Sequence, residues 1–174
     1  MECELPEENG LAAFSRWKDD QSKCNGLGFL RPGRILEIVG PAYSGRAEMS
    51  RKIVDLALTS SEEIELVLLD CAATTDEFSE RVHHFKIFDQ EELQTAVAML
   101  PLIVYENPSV KLVGILEPNL SLTSTANSVL LGLPKLIQSY ASLSCWMTLE
   151  SNEPPSATSS VTTVDRVHVS QIPL

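Results

Sequence analysis

Four short apolar runs punctuate the chain at Ile35 to Val39, Leu66 to Leu69, Leu112 to Leu116 and around Cys145 to Leu149. Each is bounded by turn residues, the pattern of a strand buried on both faces. Between them the apolar residues take helical spacing: Met49, Ile53, Leu56 and Ala57 within Glu48 to Leu58, Leu93, Val97 and Leu100 within Gln90 to Leu100, and Leu133, Leu136, Ile137 and Tyr140 within Val129 to Leu143. Connections long enough to hold a helix return the chain to the same end of the sheet, so successive strands run parallel. The pattern predicts an α/β fold, a mostly parallel sheet with helices on both faces, with the partly alternating Val164 to Val169 as a late strand. Ligands on such sheets sit beyond the carboxyl ends of the strands.

With 174 residues, 44% of them hydrophobic, the chain can bury one sizeable core and not two. The expected organisation is a short leader over residues 1–24 and a single core domain over residues 25–174. Within that domain the Ser-, Thr- and Pro-rich stretch 151–163 is expected to be a mobile loop. Thirteen Lys and Arg against twenty-four Asp and Glu give a net charge of −11, which repels phosphate backbones and argues against autonomous DNA binding.

Cys3, Cys24, Cys71 and Cys145 are scattered, with no C-x-x-C pair and no histidine at zinc-ligand spacing. Neither a disulfide scaffold nor a metal site is expected, and a reducing, intracellular compartment fits. The N-terminus opens on Glu2, Glu4, Glu7 and Glu8, unlike a signal sequence, and the longest apolar stretch, Ala96 to Val104, contains Pro101. A soluble chain without a membrane partner is therefore expected. His83 and His84 are adjacent and diverge on either a strand or a helix, poor geometry for a shared metal, which predicts ordinary surface or rim residues. Two acidic clusters, Glu62, Glu63 and Glu65, then Asp89, Glu91 and Glu92, read as solvated faces and helix N-terminal charges, with a basic partner surface as the other reading.

One loop carries a chemical motif. Gly40-Pro41-Ala42-Tyr43-Ser44-Gly45-Arg46-Ala47 places two glycines at the G-x-x-x-x-G spacing of a phosphate-binding loop, after the first strand and before the first helix. Glycines in that context let backbone N–H groups wrap a phosphate at the helix N-terminus. Gly40, Ser44, Gly45, Arg46 and Ala47 are thus the candidate cofactor-binding residues. Two of them depart from the working motif: Arg46 stands where a lysine would reach the terminal phosphates, and Ala47 where a hydroxyl would hold magnesium.

The surroundings resemble the ATPase core of the RecA-type recombinases, particularly the eukaryotic strand-exchange paralogues. Gly28, Leu30, Gly33, Ile35, Glu37, Ile38 and Gly40 follow the family's lead-in G-x-I-x-x-G-x-I-x-E-I-x-G, with Leu30 for isoleucine. Asp70 closes the second apolar run as in the family, but Ala72 occupies the position of the water-activating glutamate. Glu117 stands where the magnesium-linked aspartate would be. Trp146-Met147-Thr148 continues into Leu149-Glu150, where the family has Asn-Gln, and Thr162-Thr163-Val164-Asp165-Arg166-Val167 is similar to its late Thr-Thr-Arg strand. The likeness spans roughly residues 26 to 170.

The resemblance implies a RecA-like P-loop fold and, with the lysine, the hydroxyl and the glutamate all replaced, a pseudo-ATPase with no required cofactor. It leaves residual ATP binding open through Arg46, whose guanidinium either meets a phosphate or forms an internal salt bridge. The family's two DNA-contacting loops correspond to Pro118 to Asn127 and Ser151 to Thr163, neither of which contains Lys or Arg, so single-stranded DNA is expected to be held weakly or through a complex. Members also dock through an aromatic segment on a neighbour's sheet edge, which marks Phe14 and Trp17 as candidate partner-binding residues, the other reading being that they cover the domain's own surface. The implied role is a nuclear mediator of homologous recombination that binds another RecA-family paralogue or the recombinase filament. A divergent P-loop ATPase and a structural adaptor outside DNA repair are the alternatives.

Overall fold

The computed structural model describes residues 30–118, 124–140, 142–151 and 164–169, with residues 124–131, 164 and 168 at backbone level. The leader with Phe14 and Trp17, residues 119–123 of the first candidate DNA loop and residues 152–163 of the second lie outside the described residues, while residues 124–127 of the first are helical.

Six strands form one sheet: β1 (Ile35–Gly40), β2 (Glu65–Asp70), β3 (Val82–Lys86), β4 (Val110–Leu116), β5 (Ser144–Glu150) and β6 (Val164–His168). Their order across the sheet is β3-β2-β4-β5-β1-β6. Every pairing is parallel, from Leu66 beside Val82 at one edge to Ile35 beside Val164 at the other. The architecture is the expected α/β class, and the four apolar runs are its four inner or near-inner strands.

Alternation along each strand supplies two cores. One face sends Val67 and Leu69, Val113 and Ile115, and Cys145 and Met147 toward α2 (Gln90–Glu106) and α3 (Ser124–Ser139). Leu93, Val97, Leu100 and Val104 of α2 and Leu133, Leu136 and Ile137 of α3 complete it. The other face sends Leu66 and Leu68, Leu112, and Trp146 toward α1 (Arg46–Ser60), whose Met49, Ile53, Val54 and Ala57 form its buried stripe. Helices thus cover both faces, as the spacing predicts.

The helices run further than their periodic cores. α2 begins at an Asp89 cap, whose carboxylate accepts from the Glu92 amide at 2.9 Å, while Glu92 accepts from the Phe88 amide at 2.7 Å. Two orphan N–H groups are thereby satisfied. α2 then continues through Pro101 to Glu106. The last turn of α1 holds no basic residue, and Arg81 from the β2–β3 connection supplies one. Its guanidinium donates to the carbonyls of Leu58 at 2.8 Å and Ser61 at 2.7 Å. Replacing Arg81 with alanine should lower stability by about 1–2 kcal/mol, read from urea denaturation, because it uncaps carbonyls at a helix C-terminus.

The strand β3 has no counterpart in the predicted elements. Its two histidines do face opposite ways, but they are not idle rim residues: His83 meets Glu65 at 2.6 Å and His84 meets Asp70 at 2.9 Å, tying β3 to β2. Phe78 packs edge-on against the His84 ring, with centroids 4.9 Å apart. Among the described residues no helix is long and apolar enough to cross a membrane, and the two described cysteines, Cys71 and Cys145, are free.

Candidate functional site

Gly40, Asp70, Glu117 and Glu150 stand at or next to the carboxyl ends of β1, β2, β4 and β5, and the loop 40–47 leads from β1 into α1. Gly40 must be glycine: an added Cβ would lie 2.8 Å from Ser44 Oγ and closer still to the Val169 carbonyl. Two left-handed residues then turn the chain, Tyr43 at φ 59° and Gly45 at φ 92°, the latter the N-cap of α1. Tyr43 pays the steric cost a non-glycine meets in this region, and its ring is 99% exposed at the loop tip. The Ser44 amide donates to the Pro41 carbonyl at 3.3 Å, and the Met49 amide to the Gly45 carbonyl at 3.0 Å, which closes the first helical turn.

Arg46 is turned into the protein and is 6% exposed. Its Nη1 donates to the carbonyls of Gly40, of Pro41 at 3.0 Å and of Leu149 at 3.3 Å. Its Nε donates to Glu117 Oε1 at 2.9 Å, and Nη2 lies 3.5 Å from Glu150 Oε2. Five acceptors from the ends of three strands therefore surround one guanidinium, whose N–H groups point in a fixed fork. A phosphate entering here would compete with two carboxylates for the same donors.

Glu117 holds its position through a strained backbone, φ 47°, and an amide that donates to Thr148 Oγ1 at 2.9 Å. Its carboxylate faces Arg46, so the residue at the magnesium-aspartate position serves as a counter-ion. The Ser44 hydroxyl is 3% exposed and has no hydrogen-bond partner among the described residues. The loop therefore brings Gly40, Ser44, Gly45 and Arg46 together as the spacing predicts, with Ala47 starting α1 behind them.

Asp70, fully buried, is engaged on both oxygens. It accepts from the Ala72 amide at 3.0 Å, the Thr74 amide at 3.1 Å, the Thr74 hydroxyl at 2.7 Å and His84. Burial alone would raise its pKa, but the hydrogen bonds from Thr74, His84 and the Ala72 amide outweigh it and hold the carboxyl below its ordinary value. The stability Asp70 contributes is thus complete above the unfolded carboxylate value, about pH 4, and is lost below it as pH falls through the depressed folded pKa. Unfolding midpoints measured from neutral pH downward should show this loss, and Asp70→Asn should flatten the acid slope while lowering stability at neutral pH.

Beside it, burial pushes the Cys71 thiol up to about 11, which makes it a poor nucleophile at neutral pH. No cluster of His, Cys, Asp and Glu among the described residues is arranged to hold a metal ion. Sequence reasoning found the loop and held an internal salt bridge as one of two readings of Arg46; it missed Glu117 and Glu150 as the carboxylates that meet it and the hydrogen bonds that engage Asp70. The oppositely charged Arg46 and Glu117, each a longer side chain of the same charge as the motif residue it replaces, are the signal that could have suggested their contact. The chain matches no protein-family model, and no curated protein is significantly similar to it.

Proposed function

We propose that the chain is a non-catalytic paralogue of the RecA-type recombinases. In this reading it acts in the nucleus as a mediator of homologous recombination and DNA repair, through a second paralogue or the recombinase filament. Arg46 carries the reading: its guanidinium is bound by Glu117, Glu150 and three carbonyls, so the loop is filled from within. Phosphoryl transfer depends on positioned cations and a water-activating group, and Ala47 and Ala72 supply neither. Such a chain would act by shape and docking, with no required cofactor, and would meet single-stranded DNA weakly or through its complex.

The Ser44 hydroxyl inside the loop, unpartnered among the described residues, favours a second reading, a divergent P-loop ATPase that keeps residual ATP binding. The first reading is tested by affinity purification of the tagged full chain from its native cells with mass spectrometry, wild type beside a Phe14→Ala, Trp17→Ala double variant. Recovery of a RecA-family protein, reduced in the variant, is expected. Absence of any recombination protein under gentle conditions would remove the mediator role and leave the adaptor or the divergent ATPase.

A further inference from the structure

Helix α3 carries two helix breakers in its interior, Gly132 and Pro134. Packing does not call for the glycine: a Cβ added at Gly132 would meet nothing among the described residues within 4 Å, and its backbone is not left-handed. Its effect is to loosen the helix, because a glycine loses more backbone freedom there than any other residue. Pro134 has no N–H to give the Leu130 carbonyl one turn back, and its ring crowds that carbonyl.

The two sides of this break are held differently. After it, Leu133, Leu136 and Ile137 are buried in the core, the Ser139 hydroxyl donates to the Lys135 carbonyl at 2.7 Å, and the Tyr140 hydroxyl donates to the Pro101 carbonyl of α2 at 3.4 Å. Before it, the helix opens on Ser124-Thr125-Ala126-Asn127-Ser128, of which only Ala126 is a strong helix former. Its first turn carries no acid to meet the N-terminal dipole. α2 shows what anchors a helix that contains proline. Leu93, Val97 and Leu100 before Pro101 and Val104 after it are all buried. Asn107 then closes the end of α2 on the Ile103 carbonyl, through its amide at 3.0 Å and its side chain at 2.9 Å.

We infer that Gly132 and Pro134 form a hinge, which makes the first half of α3, residues 124–131, a separately opening unit. This half unwinds as one piece while Leu133, Leu136 and Ile137 stay docked on the sheet. The chain between β4 and the anchored half can then change course without global unfolding. A partner that prefers one state of the half-helix would shift its population and leave the sheet undisturbed. The inference rests on α3 alone and is independent of the reading of the Arg46 loop.

The test is hydrogen exchange of the purified full chain, read amide by amide by NMR and corrected for intrinsic rates. Amides 128–131 should share one rate, at least about tenfold faster than amides 136–139, with a step at the hinge. Gly132→Ala should slow amides 128–131 about fivefold, the change that a helix-propensity difference of about 1 kcal/mol gives. Pro134→Ala should slow them by at least about tenfold, because it restores a donor to the Leu130 carbonyl. Both replacements raise helix propensity, and Gly132 is exposed and Pro134 half-buried, so both variants should keep the parent fold. Equal protection on the two sides of the break overturns the inference. So does a gradient of rates from Ser124 inward that is unchanged in Gly132→Ala, which is the ordinary fraying of a helix end that never reaches the hinge.

Discussion

Arg46→Ala is expected to lower the free energy of unfolding by about 3–5 kcal/mol, the cost of removing one partner from a buried ion pair. The substitution removes the guanidinium that Glu117 shares with the carbonyls of Gly40, Pro41 and Leu149, of which Gly40 keeps the Ser151 amide and Pro41 the Ser44 amide. These groups lie at the ends of three adjacent strands, so their mutual repulsion acts on the part of the sheet where β1, β4 and β5 must converge. Glu150, which is 55% exposed, can recover water and contributes little; Glu150→Gln should cost under about 1 kcal/mol. Arg46→Lys separates charge from geometry. A lysine restores the positive charge but cannot bridge Glu117 and the carbonyls with one ammonium, so it should recover only part of the loss. Urea denaturation of the three variants beside the parent gives all of these values. A loss below about 1 kcal/mol for Arg46→Ala would mean that the guanidinium is not the element holding the loop.

Gly114→Ala should destabilise at the upper end of the range of about 1–3 kcal/mol seen for overpacking. Gly114 lies directly beside Trp146 in the β4–β5 register, and an added methyl would come within 2.6–2.7 Å of the Cη2 and Cε2 atoms of the indole. The ring has little room to retreat, since it is fully buried and its Nε1 donates to Ser50 Oγ of α1 at 2.7 Å. Trp146→Leu opens a cavity on the same spot and should cost about 3 kcal/mol or more. The double variant should lose less than the two single losses together, because the alanine methyl occupies space the indole has vacated. Thermal unfolding of the four proteins in a double-mutant cycle measures the coupling, and strict additivity would show that the two positions do not share one packing site.

The inner strands were legible because their residues are buried on both faces: Leu66 to Leu69 and Leu112 to Leu116 need no partner to be recognised as strands. β3 was not, because Val82-His83-His84-Phe85-Lys86 has no apolar run, and its histidines are accommodated by Glu65 and Asp70 across the sheet on β2. The glycine spacing of the loop could be read directly, since Gly40 and Gly45 answer local steric needs. The direction of Arg46 could not. Glu117 is 71 positions along the chain, and only the strand order β4-β5-β1 brings the two together. The acidic cluster Asp89, Glu91 and Glu92 was legible as helix N-terminal charge because capping is local, and it stands at the start of α2.

On the proposal made above, a loop filled by its own arginine performs no phosphoryl transfer. The most direct test is ATP turnover by the purified full chain with magnesium, with and without single-stranded DNA, measured beside Glu117→Gln. The account predicts phosphate release no faster than in buffer alone under either condition and no change in the variant. Turnover by the wild-type chain that is lost in Glu117→Gln would contradict it and would make this a working, if divergent, nucleotide hydrolase.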